Sequence, residues 1–457
     1  MKYYLLAGLI SAVVSFLVSW LVWKLGIRYK WYPKVRERDV HRTPTPRLGG
    51  IAMFIGIIVS LLCAWFVFPE IAGVDYFRLV FAEPQRVLAV LAGATIIVVL
   101  GVADDIWDLD WMTKLAGQII AAGILAWQGV AIVSLPIGNS LGVGSSYMSL
   151  IFTVLAVVLV MNAVNFIDGL DGLVAGVAII AGGVFFLYTF FINRVVVQTE
   201  FFFNLPSLLT AVLVGACFGF LILNWHPAKL FMGDAGALLV GFLMATSAVS
   251  ITGNIDPAAV RTRTDLLPAF IPILLPFAIL IVPILDFGLA VFRRLSAGKS
   301  PFSADRKHLH HRLLDMGHSH FHAVLIFYAW TATVAIGCLL FLFVEWWWVV
   351  AFVAVGFTIC AIATFAPLGR KRTEIRVQTA GAAAGVVDAS LDPLDRAAAA
   401  RDGRPVTGPS RTARAGRSAP SGRAASTGPS APAAPSAQSA PSAPSASSDS
   451  STSGDHS

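Results

Sequence analysis

The 457 residues are 57% hydrophobic and only 13% charged, with a formal net charge of +7. Soluble domains carry about twice that charged fraction, so a soluble enzyme is excluded. A mean hydropathy of +0.76 points to a bilayer as the solvent of most of the chain.

Eleven apolar runs near the length needed to cross about 30 Å of hydrocarbon fall at about 3–23, 49–68, 86–103, 113–133, 148–164, 172–192, 206–224, 235–252, 267–291, 323–343 and 346–366. They predict an all-α, polytopic integral membrane protein of about 11 transmembrane helices. The first run is too long for a typical leader, lacks an obvious small-x-small cleavage site and is followed by basic residues, so it reads as a retained span. Lys24, Arg28, Lys30, Lys34, Arg36, Arg38, Arg42 and Arg47 stay in the cytoplasm by the positive-inside rule. That places the N-terminus outside and, after eleven crossings, the C-terminus in the cytoplasm. The 293–321 connection, with Arg293, Arg294, Lys299, Arg306, Lys307 and Arg312, falls on the same inner side, as the rule requires. Cys63, Cys217, Cys338 and Cys360 lie inside apolar runs and read as small buried hydrophobes rather than disulfides or metal ligands. Residues 1–368 are expected to form the transmembrane catalytic domain. Residues 369–457, rich in Ala, Pro, Ser and Arg with almost no aromatics, are expected to form a disordered cytoplasmic tail.

With this topology every cluster of unusual polar residues lands on the cytoplasmic side. The first connection ends in His41-Arg42-Thr43-Pro44-Thr45-Pro46-Arg47-Leu48-Gly49-Gly50. Its prolines fix the backbone, its glycines allow close approach, and Arg42 and Arg47 suit a phosphate or nucleotide, or else serve as topogenic charge on a rigid turn. The second holds Asp104, Asp105, Asp108 and Asp110, with Lys114 one turn on. Acids that close repel, so one carboxyl rises unless a cation intervenes. A general base, a Mg²⁺ site or an acidic helix-capping turn would each explain them. Trp107 and Trp111 read as interfacial anchors.

The third connection is Met161 to Leu173, where Asn162, Asn165, Asp168 and Asp171 recur at a spacing of three. Neighbours three apart share a helix face, but Asn162 and Asp171 would lie on opposite sides of a straight helix. Gly169 and Gly172 let the chain break, so the stretch reads as a helix end turning into a polar pocket. The fourth connection, Asn224 to Gly236, places Asp234 between glycines at the start of a span. There it either caps the helix or offers a hard ligand, with a pyrophosphate on the helix N-terminus. Phe231 either stacks a base or anchors the boundary. The ninth span holds Pro276, Pro283 and Asp286, and its exit carries His308, His310, His311 and Arg312. No cysteine or carboxylate set completes a zinc site there, so phosphate or lipid-head contact, or an interfacial amphipathic helix, fits better.

Acids, amides, a lysine and a histidine/arginine loop at one membrane face suit one water-soluble and one lipid substrate. The residues therefore describe a membrane enzyme acting on a nucleotide-type diphosphate and a lipid acceptor. A cation-coupled transporter would want intramembrane ionisable groups and inverted repeats; only Asp286 qualifies, and no repeat is visible. A nonenzymatic scaffold leaves the polar clusters without purpose.

Asp104-Asp105, Asn162-x-x-Asn165-Phe-x-Asp168-Gly-x-Asp171-Gly, Gly233-Asp234-x-Gly and His308-x-His310-His311, in this order, resemble the motifs of the polyprenyl-phosphate N-acetylhexosamine-1-phosphate transferases (glycosyltransferase 4 family) over about residues 1–366. The His-x-His-His pattern and His41–Gly50 look like the bacterial UDP-N-acetylglucosamine branch. The runner-up branch, phospho-N-acetylmuramoyl-pentapeptide transferase, typically has three consecutive histidines, a run that Leu309 interrupts here. The resemblance implies transfer of N-acetylglucosamine-1-phosphate from UDP-N-acetylglucosamine to undecaprenyl or decaprenyl phosphate, releasing UMP by direct attack. It implies that Asn165 and Asp234 hold Mg²⁺ (with Mn²⁺ as a substitute) and that Lys114 contacts the pyrophosphate. It gives Asp104 and Asp105 the task of orienting or deprotonating the lipid phosphate. Asn162, Asp168, Asp171, Phe231, Arg42, His308, His310, His311 and Arg312 would bind substrate. The implied setting is the inner membrane with the active site facing the cytoplasm, no nucleic acid partner, and a homodimer as in relatives.

Overall fold

The structure, a computed structural model, describes residues 1–30, 45–72, 80–132 apart from 82, 134–143 apart from 138–139, 145–195, 204–252 and 316–365, with isolated positions at 292, 295–296, 298 and 313–314. The expected span 267–291 with Asp286, the residues Arg42, His308, His310, His311 and Arg312, and the 369–457 tail lie outside the described residues.

Ten helices account for the other ten apolar runs. They are α1 (Lys2–Tyr29), α2 (Gly49–Leu62), α3 (Pro84–Trp107), α4 (Trp111–Trp127), α5 (Ser146–Ile167), α6 (Leu173–Val195), α7 (Leu205–Asn224), α8 (Gly233–Thr252), α9 (His320–Leu340) and α10 (Trp346–Phe365). A π-helical turn, Cys63–Val67, carries α2 on to Ala72. Among the described residues nine of these are long and apolar enough to cross a membrane. The tenth, α4, has 17 residues, the short end of what a span needs. Helices are what such sequences must form in hydrocarbon, because only intra-segment bonding satisfies the backbone there. Their starts are marked in the sequence. Asp110, Ser145, Asn204 and Ser319 accept backbone amides of their first turns, and Pro84 and Pro206 sit at the first positions, where no amide partner is lost.

One expectation is corrected in detail. The run read as a span over 113–133 stops as a helix at Trp127, and an antiparallel hairpin follows, β1 (Ser134–Ile137) paired to β2 (Ser140–Val143). The all-α class stands, with this one short ribbon added.

Small residues set the packing. Ser11 and Ser15 of α1, both fully buried, donate to the Val212 and Ala216 carbonyls of α7 at 2.7 and 2.9 Å. Ser60 of α2 donates to the Ala7 carbonyl at 2.6 Å. A Cβ on Gly215 would run into the Gly8 backbone. In lipid there is no hydrophobic drive between helices, so close backbone approach and such bonds hold them together. The centre of the bundle is α8, packed against α2, α3, α5 and α7. The rim is α10, which packs on α9 and turns Val355, Ile359, Ile362 and Phe365 outward.

Candidate active site

The site forms where α3 ends, α5 ends and α8 begins. Helix α3 stops at Trp107 because Asp108 takes a left-handed conformation, φ 56°, and returns its amide to the Asp104 carbonyl at 2.8 Å. Asp104 is buried, and its Oδ1 accepts the Leu109 amide at 2.8 Å. Its Oδ2 lies 2.5 Å from Lys114 Nζ, which also stands 3.5 Å from Asp234 Oδ2. One ammonium thus bridges two carboxylates brought from positions 104 and 234. Asp110 has a different task. It caps α4 by accepting the Met112 and Thr113 amides at 3.0 and 3.1 Å. The Thr113 hydroxyl and then its amide hold the Asp110 carboxyl below its ordinary range. The four acids of this turn therefore divide between scaffold and site.

Asp105 supplies the cap that the sequence offered to Asp234. Its carboxylate accepts the Asp234 amide at 3.2 Å and the Ala235 amide at 3.5 Å, so α3 caps α8 from across the bundle. This sets aside the alternative in which Asp234 caps its own helix, and it leaves the Asp234 side chain to Lys114 and to the neighbouring Asn165. Two first-turn amides of α8, those of Asp234 and Ala235, are accordingly taken by Asp105 rather than open to a pyrophosphate. The approach is possible because Gly233 has φ +70° and because a Cβ there would strike the Arg47 carbonyl and the Asp105 carboxylate. Gly50 and Gly101 likewise make room for the backbone of Ala235 and Gly236. The Phe231 amide donates to the Pro46 carbonyl at 2.8 Å, and the Gly49 and Gly50 amides return to Phe231 and Met232 at 3.0 and 2.9 Å. This short ladder brings Arg47 to the site, an arginine that the resemblance passed over in favour of Arg42.

Met161 to Leu173 breaks as its glycines predict. Helix α5 ends at Ile167, Gly172 has φ +76°, and α6 begins at Leu173. Asp168 keeps solvent-exposed surface, yet loss of surrounding water, then the charge of Asp234, holds its carboxyl above the usual range, with Arg47 pulling it down. Asp171 is buried and its Oδ2 is occupied by scaffold, 2.8 Å from His226 Nδ1 and 3.1 Å from the Ala228 amide. Asn162 is also engaged elsewhere: its Nδ2 donates to Gln118 Oε1 at 2.6 Å and to the Val158 carbonyl at 2.8 Å. The structure thus gathers Asp104, Asp105, Lys114, Asn165, Asp168 and Asp234, sets Phe231 beside them in the loop, and holds Asn162 and Asp171 in contacts behind the site.

Five residues that sequence reasoning passed over complete the frame. Asn224, buried, accepts the Gly172 amide at 2.9 Å and donates to the Leu230 carbonyl at 2.9 Å. Tyr328 of α9 donates to the Gly172 carbonyl at 2.6 Å. His226 stacks on His320 with centroids 5.2 Å apart. Gln118 is only 2% exposed. Buried amides within apolar spans were the available signal, since such groups are costly unless paired.

Among the described residues no group of three or more His, Cys, Asp or Glu stands ready to hold a metal on protein ligands alone. Asp104, Asp234 and Asn165 do offer converging oxygens. That donor set fits Mg²⁺, which uses one or two carboxylates and completes its shell with water and phosphate.

The described residues bring acids, an amide and a lysine together at one end of a helical bundle of membrane-length spans, an arrangement suited to a membrane transferase. Residues 87–252, which contain those acids, match the profile of glycosyl transferase family 4. The decaprenyl-phosphate N-acetylglucosaminephosphotransferase of Mycobacterium leprae is 39% identical over 373 residues, covering 80% of this chain and 91% of the relative. Its counterpart in Mycolicibacterium smegmatis is 38% identical over 372 residues, covering 80% and 89%. A phospho-N-acetylmuramoyl-pentapeptide-transferase of a Thermoanaerobacter species is 28% identical over 263 residues, covering 53% and 74%. The chain belongs to the glycosyl transferase 4 family of polyprenyl-phosphate sugar-phosphate transferases.

Proposed function

We propose that this chain transfers N-acetylglucosamine-1-phosphate from UDP-N-acetylglucosamine to a polyprenyl phosphate, giving the polyprenyl diphosphate sugar and UMP. The observation that carries this reading is Lys114 between Asp104 and Asp234, in a chain similar over most of its length to proteins named for that transfer. An oxygen of the acceptor phosphate forms a bond to the β-phosphorus while the bond from that phosphorus to the UMP oxygen breaks. Little covalent chemistry is asked of the protein, and positioning and charge stabilisation dominate such transfers. Lys114 is placed to balance charge on the phosphates. Asp104 orients the acceptor phosphate and takes its proton where one is present. Asp105 keeps α8 in register. Asp234 and Asn165 would hold Mg²⁺, which supplies Lewis-acid polarisation of the pyrophosphate when bound. Asp168 and Phe231 lie on the uridine side, with Arg47 nearby as a counter-charge. The basic residues between 24 and 47 support a cytoplasmic orientation of this end.

The test is purified protein with Mg²⁺, polyprenyl phosphate and each UDP-sugar in turn, with UMP release measured. UDP-N-acetylglucosamine is expected to be the productive donor. UMP from UDP-N-acetylmuramoyl-pentapeptide instead would move the chain to the peptidoglycan branch, and no UMP from any donor would end the transferase reading.

A further inference from the structure

Gln118 and Asn162 meet at a distance that their surroundings make consequential. Gln118 Oε1 accepts from Asn162 Nδ2 at 2.6 Å, and Gln118 is 2% exposed. In so apolar a setting an unpaired amide costs about 1–3 kcal/mol, so the two side chains hold each other. Their places in the helices give the pair a direction. Gln118 follows Lys114 by four residues on α4, and Asn162 precedes Asn165 by three on α5, so each amide lies on the same helix face as a site residue and one turn from it. Lys114 stands 3.5 Å from Asp234, and Asn165 adjoins the same carboxylate. A closed circuit results: Asp234 to Lys114, along one turn of α4 to Gln118, across to Asn162, and along one turn of α5 back to Asn165 and Asp234.

Helix α4 needs such a fixture. It is short, and Met112, Ile119 and Ile120 on it are exposed, so packing alone holds one side of it. A rotation of α4 about its axis would swing Lys114 away from the gap between Asp104 and Asp234 while leaving most of the fold intact. We propose that Gln118 is a positioning residue, and that the Gln118–Asn162 hydrogen bond locks the rotation of α4 against α5 so that Lys114 and Asn165 converge on Asp234. On this account Asn162 acts through Gln118 rather than by touching substrate. The proposal rests on the transferase reading of the site.

The experiment is a length-swap cycle. Gln118→Asn and Asn162→Gln each change the reach of one amide by a single methylene and keep both polar. The double variant Gln118→Asn/Asn162→Gln restores the combined length. Each single variant is expected to lower kcat on the order of ten- to a hundred-fold, the scale of a misplacement near 1 Å. KM for UDP-N-acetylglucosamine should stay within about two-fold, because uniform binding is untouched. The double variant should recover most of kcat. Melting temperature in detergent, measured beside the kinetics, should not follow the kcat losses. Single variants with wild-type kcat would overturn the proposal. So would a double variant as slow as the product of the singles, losses that track melting temperature, or a raised KM confined to Asn162→Gln, which would make Asn162 a substrate contact. Asp104→Asn run alongside separates the two readings. If it turns over normally, the reading of the site itself fails; if it is dead while Gln118→Asn is normal, only the positioning role fails.

Discussion

Helices α8 and α10 have 20 residues each and opposite settings. In α8, 89% of the membrane-length window is buried inside the protein, against 11% in α10. The buried helix is the less apolar of the two, with Gly233, Asp234, Gly236, Gly241, Ser247 and Ser250 along it, while α10 opens on Trp346-Trp347-Trp348 and runs on in large apolar residues. In water the ranking would be reversed. In lipid, large side chains lose nothing by facing out, whereas small residues allow the close packing that holds helices together. Burial in this bundle therefore follows smallness and polarity rather than hydrophobicity, and the site lies where the least apolar helix begins. The three tryptophans, all exposed, mark the membrane boundary at the start of α10.

That contrast can be broken in graded steps. The largest effect is expected from Gly101→Val. A Cβ at Gly101 meets the backbone of Asp234 and Ala235, and backbone cannot yield as a side chain does, so α8 is displaced from α3. Folded protein recovered from membranes, followed by size-exclusion chromatography, should largely disappear along with activity. Asp104→Asn and Asp234→Asn come next. Both keep the side-chain volume and should leave folded protein at wild-type levels while turnover falls on the order of 10²–10³-fold or more, the range for removing one preorganised electrostatic group. Full activity in either would remove the acids from the mechanism.

Asn224→Leu should have an intermediate effect. It strips partners from the Gly172 amide and the Leu230 carbonyl, at about 1–3 kcal/mol for each group left unsatisfied. A lowered melting temperature and a several-fold loss of kcat are expected, because the loop that delivers Asp234 loosens. Ile359→Ala on α10 should do least. Ile359 is 61% exposed, so it leaves no cavity, and activity and melting temperature should match wild type, surface changes of this kind lying within about 0.5 kcal/mol. A large loss there would show that the outer face of α10 is covered by protein rather than lipid.

The sequence made these differences partly legible. Spans were readable because hydrocarbon leaves the chain few choices, and the break near Gly172 was readable because Asn162 and Asp171 could not share a face of one helix. Asp104, Lys114 and Asp234 were recognised as a group, but not that Asp105 would cap α8 and so release Asp234 for other work. That outcome depends on how closely α3 and α8 approach, which spacing along one chain does not encode. Asp171 and Asn162 looked like ligands because they are polar and near the site. The structure engages them with His226 and Gln118, partners 55 and 44 residues away. Asn224 and Gln118 were passed over because a lone amide at the end or in the middle of an apolar run carries no motif. The β1–β2 hairpin was missed because its four-residue strands show no alternation long enough to read.

The most direct test of the central claim, that the end of the bundle around Asp104, Lys114 and Asp234 moves a sugar together with its phosphate, is to follow UDP-N-acetylglucosamine labelled at the β-phosphorus. The purified protein, Mg²⁺ and polyprenyl phosphate should carry the label into the lipid fraction in one-to-one proportion with UMP, and Asp104→Asn should carry none. Release of UDP, with the label left in water, would mean that the sugar moves without its phosphate and would contradict the account.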